Sequence, residues 1–232
     1  MFDNESSGII QCALSQIIFP STYKNVREGL NGVTIFTVHE GQEHSTFYKV
    51  PTGYYENVNQ LIKAIHSSVH PLAGIADRPK SLIGYDEFHK KVWIKVSSKF
   101  FVKFQHDLAK ILGFVPDKAL KGSVKEKHRI FSSHRPKIHE GHIYLYCNIV
   151  KPQIIGEVTA PLLRILNWEH SSIKKSISQT FTDLFYIPLN GLNFDTIHLY
   201  LMDEAGYPLE FEEGENTIVV LEFEEKKKKK TI

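Results

Sequence analysis

Twelve histidines in a chain of 232 residues invite a metal-centre reading. Two clusters in polar text are the candidates: HEGQEH, with His39 and His44, and HEGH, with His139 and His142. A zinc site draws three or four nitrogen, sulfur or carboxylate ligands from recognisable intervals. Neither cluster has a carboxylate at such an interval from a third histidine, and neither fits a zincin or cupin pattern. Both lie in polar text of loop character, so exposed loop histidines are expected and no metal is assigned.

The two cysteines, Cys12 and Cys147, both lie in apolar text of strand character. His142 precedes Cys147 by an odd number of positions, which on a strand puts thiol and imidazole on opposite faces. Two buried, reduced thiols are therefore expected rather than a nucleophile, a disulfide or a metal framework. Neither the P-loop nor the GxGxxG pattern occurs. The carboxylate pairs Asp203/Glu204 and Glu212/Glu213 fall where turns are expected and read as solvated acids. No catalytic residue and no cofactor is assigned, and the expectation is a protein that is not an enzyme.

Composition fits that reading. Apolar residues make up 42% and charged residues 23% of the chain, ordinary values for a globular protein. Fifteen Phe and ten Tyr, with many Ile and Val, favour strands. The net charge is +2, yet five positive charges belong to the run Lys226, Lys227, Lys228, Lys229 and Lys230, so the rest of the chain is acidic on balance. A nucleic-acid reader carries its positive charge as a patch on the folded body. The run reads as a solvated tail, with weak, non-specific nucleic-acid contact as its functional alternative. MFDNESSG lacks the basic and apolar regions of a secretory signal, and no run of about eighteen apolar residues occurs. The expectation is synthesis in the cytoplasm without membrane insertion.

The elements follow from periodicity. GIIQCALSQIIFP alternates as a strand up to Pro20, and Val33 to Val50 reads as a hairpin around Gly41. In NVNQLIKAIHSSV the period changes: Val58, Leu61, Ile62, Ile65 and Val69 share a helical face, and Asn57 and Gln60 have capping-box spacing. Ser81 to Ser97 reads as a second hairpin with one basic face of Lys91, Trp93 and Lys95. FQHDLAKILGF reads as a short helix with Leu108, Ile111 and Leu112 inward and Gly113 as its cap. Residues 115–140 read as a long exposed loop. HIYLYCNIV resumes the sheet, SISQTFTDLFYIPLN reads as one long alternating segment, and DTIHLYLMDEAGYPLEFEEGENTIVVLEFEE as a closing hairpin with its turn at Asp203 to Gly206. In that hairpin Ile197, Leu199 and Leu201 share one face and Val219, Leu221 and Phe223 another. The sum is a mainly β protein: an antiparallel β-sandwich of jelly-roll type with two short inserted helices. A single domain over 1–225 and a basic tail over 226–232 are expected.

One stretch stands apart. YCNIVKPQIIGEVTAPLLRIL, Tyr146 to Leu166, is apolar enough for a core but is interrupted by Pro152, Gly156 and Pro161. With the ending FDTIHLYLMDEAGYPLEFEEGENTIVVLEFE, it resembles a family encoded by Polinton (Maverick) elements, large virus-like DNA transposons. Cys147, Ile149, Val150, Pro152, Gln153, Gly156, Pro161, Leu162, Leu163 and Arg164 match one family phrase. Asp203, Gly206, Phe211, Glu212, Gly214, Val219, Leu221 and Phe223 match another. ALSQIIFPSTYKNV and VPTGYYENVNQLIKAI resemble two more, so the resemblance spans most of the chain. Asn148 and Glu157 stand where an acidic Asp is usual, and Tyr23 where a Trp is usual.

The resemblance implies a jelly-roll structural protein of a virus-like particle: a minor capsid protein that forms pentons at the five-fold vertices. The implied partners are further copies in a homo-oligomer, a pentamer, and a major capsid protein; the implied location is the virion. On that reading Pro152, Gln153, Ile154, Gly156, Pro161, Leu162, Leu163 and Arg164 are the candidate subunit interface, because apolar text in a loop is costly when exposed and an interface is one place to bury it. An equal alternative is that Leu162, Leu163 and Ile165 close the open end of the chain's own sandwich. A carbohydrate- or receptor-binding β-sandwich, an attachment protein of the same particle, is the rival function. A cupin-like metal oxygenase is a distant third.

Overall fold

The computed structural model describes residues 8–69, 82–96, 100–121, 129–139, 141–168, 176–211 and 214–226. Its described strands pair antiparallel throughout, with two helices between them. The chain gathers into two compact units, 1–23 with 140–232, and 24–139. Each unit has its own hydrophobic core.

β1 (Ile9–Pro20) begins the first unit, and the chain then builds the second. There β2 (Gly32–His39) and β3 (Gln42–Lys49) form the expected hairpin. Its two-residue turn puts Glu40 at φ 49° and Gly41 at φ 81°, the left-handed pair that matches the strand twist. Helix α1 (Val58–Val69) buries the predicted face of Val58, Leu61, Ile62, Ile65 and Val69. Asn57 Oδ1 accepts from the Gln60 backbone N–H at 3.1 Å, while Gln60 Oε1 reaches back one residue further than a capping box, to the Glu56 N–H at 2.9 Å.

β4 (Ile83–Asp86) and β5 (Lys91–Lys95) form the second expected hairpin, with Val92 and Ile94 fully buried. β6 (Phe100–Phe104) pairs with β2, and α2 (His106–Leu112) ends at Gly113, whose φ of 80° confirms the cap. Residues 115–140 are not wholly loop. β7 (Leu120–Lys121) adds to β6, and β8 (Arg129–Phe131) adds to β5. Strands of two or three residues are too short to show a period, which hid them in the sequence. The unit thus holds sheets ordered β3-β2-β6-β7 and β4-β5-β8, which with both helices enclose one core.

The chain returns to the first unit with β9 (His142–Cys147), β10 (Gln153–Ile155), β11 (Val158–Ala160) and β12 (Leu162–Asn167). β13 (Ser176–Thr180), β14 (Ile187–Pro188), β15 (Leu199–Met202) and β16 (Ile218–Lys226) complete it. One sheet is built on β1, with β13 and β14 each paired to it and β16 paired along most of its length; the other is ordered β12-β9-β15. Their side chains meet in a core that includes Cys12, Leu14, Ile17, Phe19, Ile143, Leu145 and Leu166.

Three expectations are corrected in this unit. The alternating segment Ser176–Asn190 is broken: β13 and β14 are separate and both pair with β1. The closing hairpin does not form, since β15 pairs with β9 and β16 with β1. Its turn does form. Asp203 Oδ1 accepts from the N–H of Ala205 at 2.9 Å and of Tyr207 at 2.8 Å, and Leu209 N–H bonds Leu201 O at 2.9 Å. Lastly, Val219 and Leu221 pack on the core, but Phe223 is 47% exposed, because β16 has no strand beyond it among the described residues.

Candidate subunit interface

The Tyr146–Leu166 stretch divides into parts with different fates. Cys147, Ile149 and Val150 are buried, and Val150 makes a bridge to Leu189, so its start is core. Pro152 then turns the chain into solvent, and β10 and β11 form a small hairpin. Gly156 occupies the first turn position at φ 60°, with nothing within 4 Å of where a Cβ would sit. Left-handed backbone at the first of two turn residues suits glycine and matches the strand twist. At the tip Ile154 is 83% and Val158 is 61% exposed. Register pairs Ile154 with Thr159 and Ile155 with Val158, so the two exposed side chains stand on opposite faces of the hairpin.

Two hydrogen bonds fix the hairpin's base. Gln153 Nε2 donates to Leu162 O at 2.8 Å, and Cys147 N–H donates to Pro161 O at 2.9 Å. Past Pro161 the chain returns to the sheet with a bulge between Leu162 and Arg164. The bulge turns Leu163 inward, where it is 2% exposed. Leu163 therefore belongs to its own unit's core and is withdrawn from the interface candidates. Arg164 lies over the Phe181 ring, 4.0 Å from its centroid, and donates to Asp183 O at 3.2 Å. Gly156 and Pro152 are exposed, and Gln153, Pro161 and Leu162 half-buried.

The structure adds residues the sequence reading passed over. The segment 190–198 is held against the start of the stretch: Asn148 Oδ1 accepts from His198 N–H at 2.8 Å, and Asn148 Nδ2 donates to Thr196 O at 3.2 Å. Asn190 N–H also donates to Ile149 O at 2.8 Å. This segment exposes Leu192, Phe194 and Ile197. A sequence signal existed, since four apolar side chains from Leu189 to Ile197 lie in text too irregular for a buried strand. The same unit carries an apolar groove of ≈ 410 Å³, lined by Leu199, Leu201, Leu209, Phe211 and Val219 among others.

The other sequence candidates are dispersed. Of the Lys226–Lys230 run, Lys226 is the exposed last residue of β16, and Lys227 to Lys230 lie outside the described residues. His139 Nε2 is 2.8 Å from Glu56 O, and His142 Nδ1 is 3.4 Å from Glu204 Oε1. Among the described residues no three His, Cys, Asp or Glu side chains gather to hold a metal. Cys12 and Cys147 are both buried free thiols, as expected. Burial pushes the Cys12 thiol up to about 12, with Cys147 beside it adding to the effect; burial likewise raises Cys147. Thiols held protonated are poor nucleophiles. Among the described residues no helix is long and apolar enough to cross a membrane.

No protein family and no curated protein matches this sequence. Among solved structures, the chain is similar to a selenomethionine-labelled mavirus penton protein, with a TM-score of 0.50 and 12% identity over 95% of this chain and 90% of that one. At that identity the likeness is one of fold alone.

Proposed function

We propose that this chain is a non-catalytic structural subunit of a virus-like particle, a minor capsid protein that forms pentons as a cyclic homo-oligomer against a major capsid protein. The single observation that carries the reading is the apolar end of the first unit. There the ordered β10–β11 hairpin holds Ile154 almost fully in solvent. A hairpin whose base is pinned by hydrogen bonds cannot fold back to hide such a side chain, so a neighbour is the physical means of covering it. The likeness to a penton protein's fold supports the choice of neighbour. The proposed contact comprises Pro152, Gln153, Ile154, Gly156, Pro161 and Leu162, with Val158, Leu192 and Phe194 added and Arg164 bracing the base.

Ring closure needs two different patches, one on each side of the subunit. The same unit offers an apolar knob at Ile154 and an apolar groove beside β15. A pentamer in the virion, of the kind Polinton-type particles would use, is the assembly this reading predicts. The test is light scattering on the purified chain, alone and with the major capsid protein. Wild type should form a ring, and Ile154→Glu should remain a folded monomer. Monomers of wild type at high concentration under both conditions would remove the reading.

A further inference from the structure

We propose that the outer face of the β4-β5-β8 sheet, in the second unit, is a stacking platform for single-stranded nucleic acid, distinct from the C-terminal lysine run. Register places Gly84, Trp93 and Phe131 side by side across the three strands, with Lys95 directly opposite Arg129 one step along. Val92 and Ile94 alternate to the buried face, which leaves this face outward.

Three features of the face point to an anionic, aromatic ligand. The indole of Trp93 is flanked by two cations, the Arg129 guanidinium carbon 4.4 Å and Lys95 Nζ 5.6 Å from the ring centroid. Both cations lack a carboxylate partner among the described residues, whereas the acids of the adjoining turn are taken, Asp86 by His89 at 3.0 Å and Glu87 by Lys90 at 3.2 Å. Like charges directly opposite on paired strands destabilise the sheet, so Lys95 facing Arg129 makes sense where an anion sits between them. Finally, the aromatic surface continues outward through Phe131, 39% exposed, to Phe88, 88% exposed, with the His89 ring within 6 Å of both centroids, at 5.0 Å from Phe88 and 5.8 Å from Phe131. Rings that stack on bases, with cations beside them for phosphates, are the working parts of single-strand binding surfaces. A neutral sugar would use the rings and leave the cations idle; a sulfated glycan would use the cations and leave the rings idle.

The probe is a twenty-residue oligothymidylate titrated into the full chain and followed by tryptophan fluorescence. The chain has two tryptophans, and Trp168 is buried against Phe19 and Tyr23, so quenching reports Trp93. The expected result is quenching that persists in a chain truncated after Glu225. For two phosphate contacts on a single strand, affinity should fall about sevenfold between 50 and 200 mM salt. Phe131→Ala and Arg129→Glu should each weaken binding about tenfold. Phe131→Leu, which keeps apolar bulk and removes the ring, replaces the alanine variant should that one fail to fold. Absence of quenching, affinity unchanged in the variants, duplex DNA binding as tightly as the oligothymidylate, or heparin binding with the same dependence on Phe131 would each overturn the proposal.

Discussion

The indole of Trp93 occupies the space that a side chain at Gly84 would fill: an ideal Cβ on Gly84 falls 2.3 Å from Trp93 Cζ2. Glycine on β4 is therefore a requirement of the tryptophan on β5. Gly84→Ala should push the ring off the sheet, seen as a red shift and increased quenchability of the tryptophan emission. A lower melting temperature should accompany it, since the cross-strand contact is lost. Unchanged emission would mean that the ring does not rest on this strand.

Leu163 and Ile154 lie nine positions apart in one apolar stretch and should behave oppositely. Leu163→Ala removes a fully buried side chain and should cost about 2 to 5 kcal/mol of unfolding free energy in a denaturant titration. Ile154→Ala removes an exposed one and should leave the monomer's stability within about 0.5 kcal/mol of wild type. Equal losses at the two positions would contradict the bulge that separates them.

The two thiols should be invisible to a disulfide reagent at pH 8 in the native protein and both titratable once it is unfolded. Linkage gives the pH dependence. An unfolded thiol ionises near 9, whereas Cys12 in the fold does so near 12. Its contribution to stability is therefore complete below pH 9 and is lost as pH rises from there towards 12. Cys12→Ala should flatten the alkaline fall in melting temperature, measured by calorimetry.

Asp86 carries the opposite dependence. The His89 backbone N–H, then the His89 ring, hold its carboxyl below the ordinary value, with the Phe88 N–H adding a smaller pull. A depressed folded value means that the stabilisation is present above the unfolded value, about pH 4, and is lost as pH falls through the folded one. Asp86→Asn should melt lower than wild type at neutral pH, and the gap should close on acidification. A gap that widened with acid would reverse the assignment.

Much of the fold was legible because it is local. The β2–β3 and β4–β5 hairpins, the buried face of α1 and the Gly113 cap are each written within about a dozen neighbouring residues, where periodicity and turn chemistry act directly. The exposed tip of the candidate interface was legible for the same reason: proline and glycine interrupt an apolar run at fixed positions. β7 and β8 were missed because they are too short to carry a period.

Tertiary structure alone decided which strands meet. The segments of β15 and β16 read as a hairpin, since antiparallel alternation followed by a turn is the sequence signature of one. Yet β9 and β1 claim them from far along the chain, because each buries its apolar face against a different sheet. The two bulges are the same lesson at finer scale. At Ser15, whose hydroxyl donates to Val220 O at 3.2 Å, the extra residue shifts the phase of β1, so that Cys12 and Leu14 before it and Ile17 and Phe19 after it all reach one core. Periodicity alone would have put half of them on the opposite face of the strand, and the bulge in β12 likewise moved Leu163 from the predicted interface to the interior. Alternation is a property of a single strand, whereas a bulge is a property of a strand and the partner it must match, and that partner is absent from the local sequence.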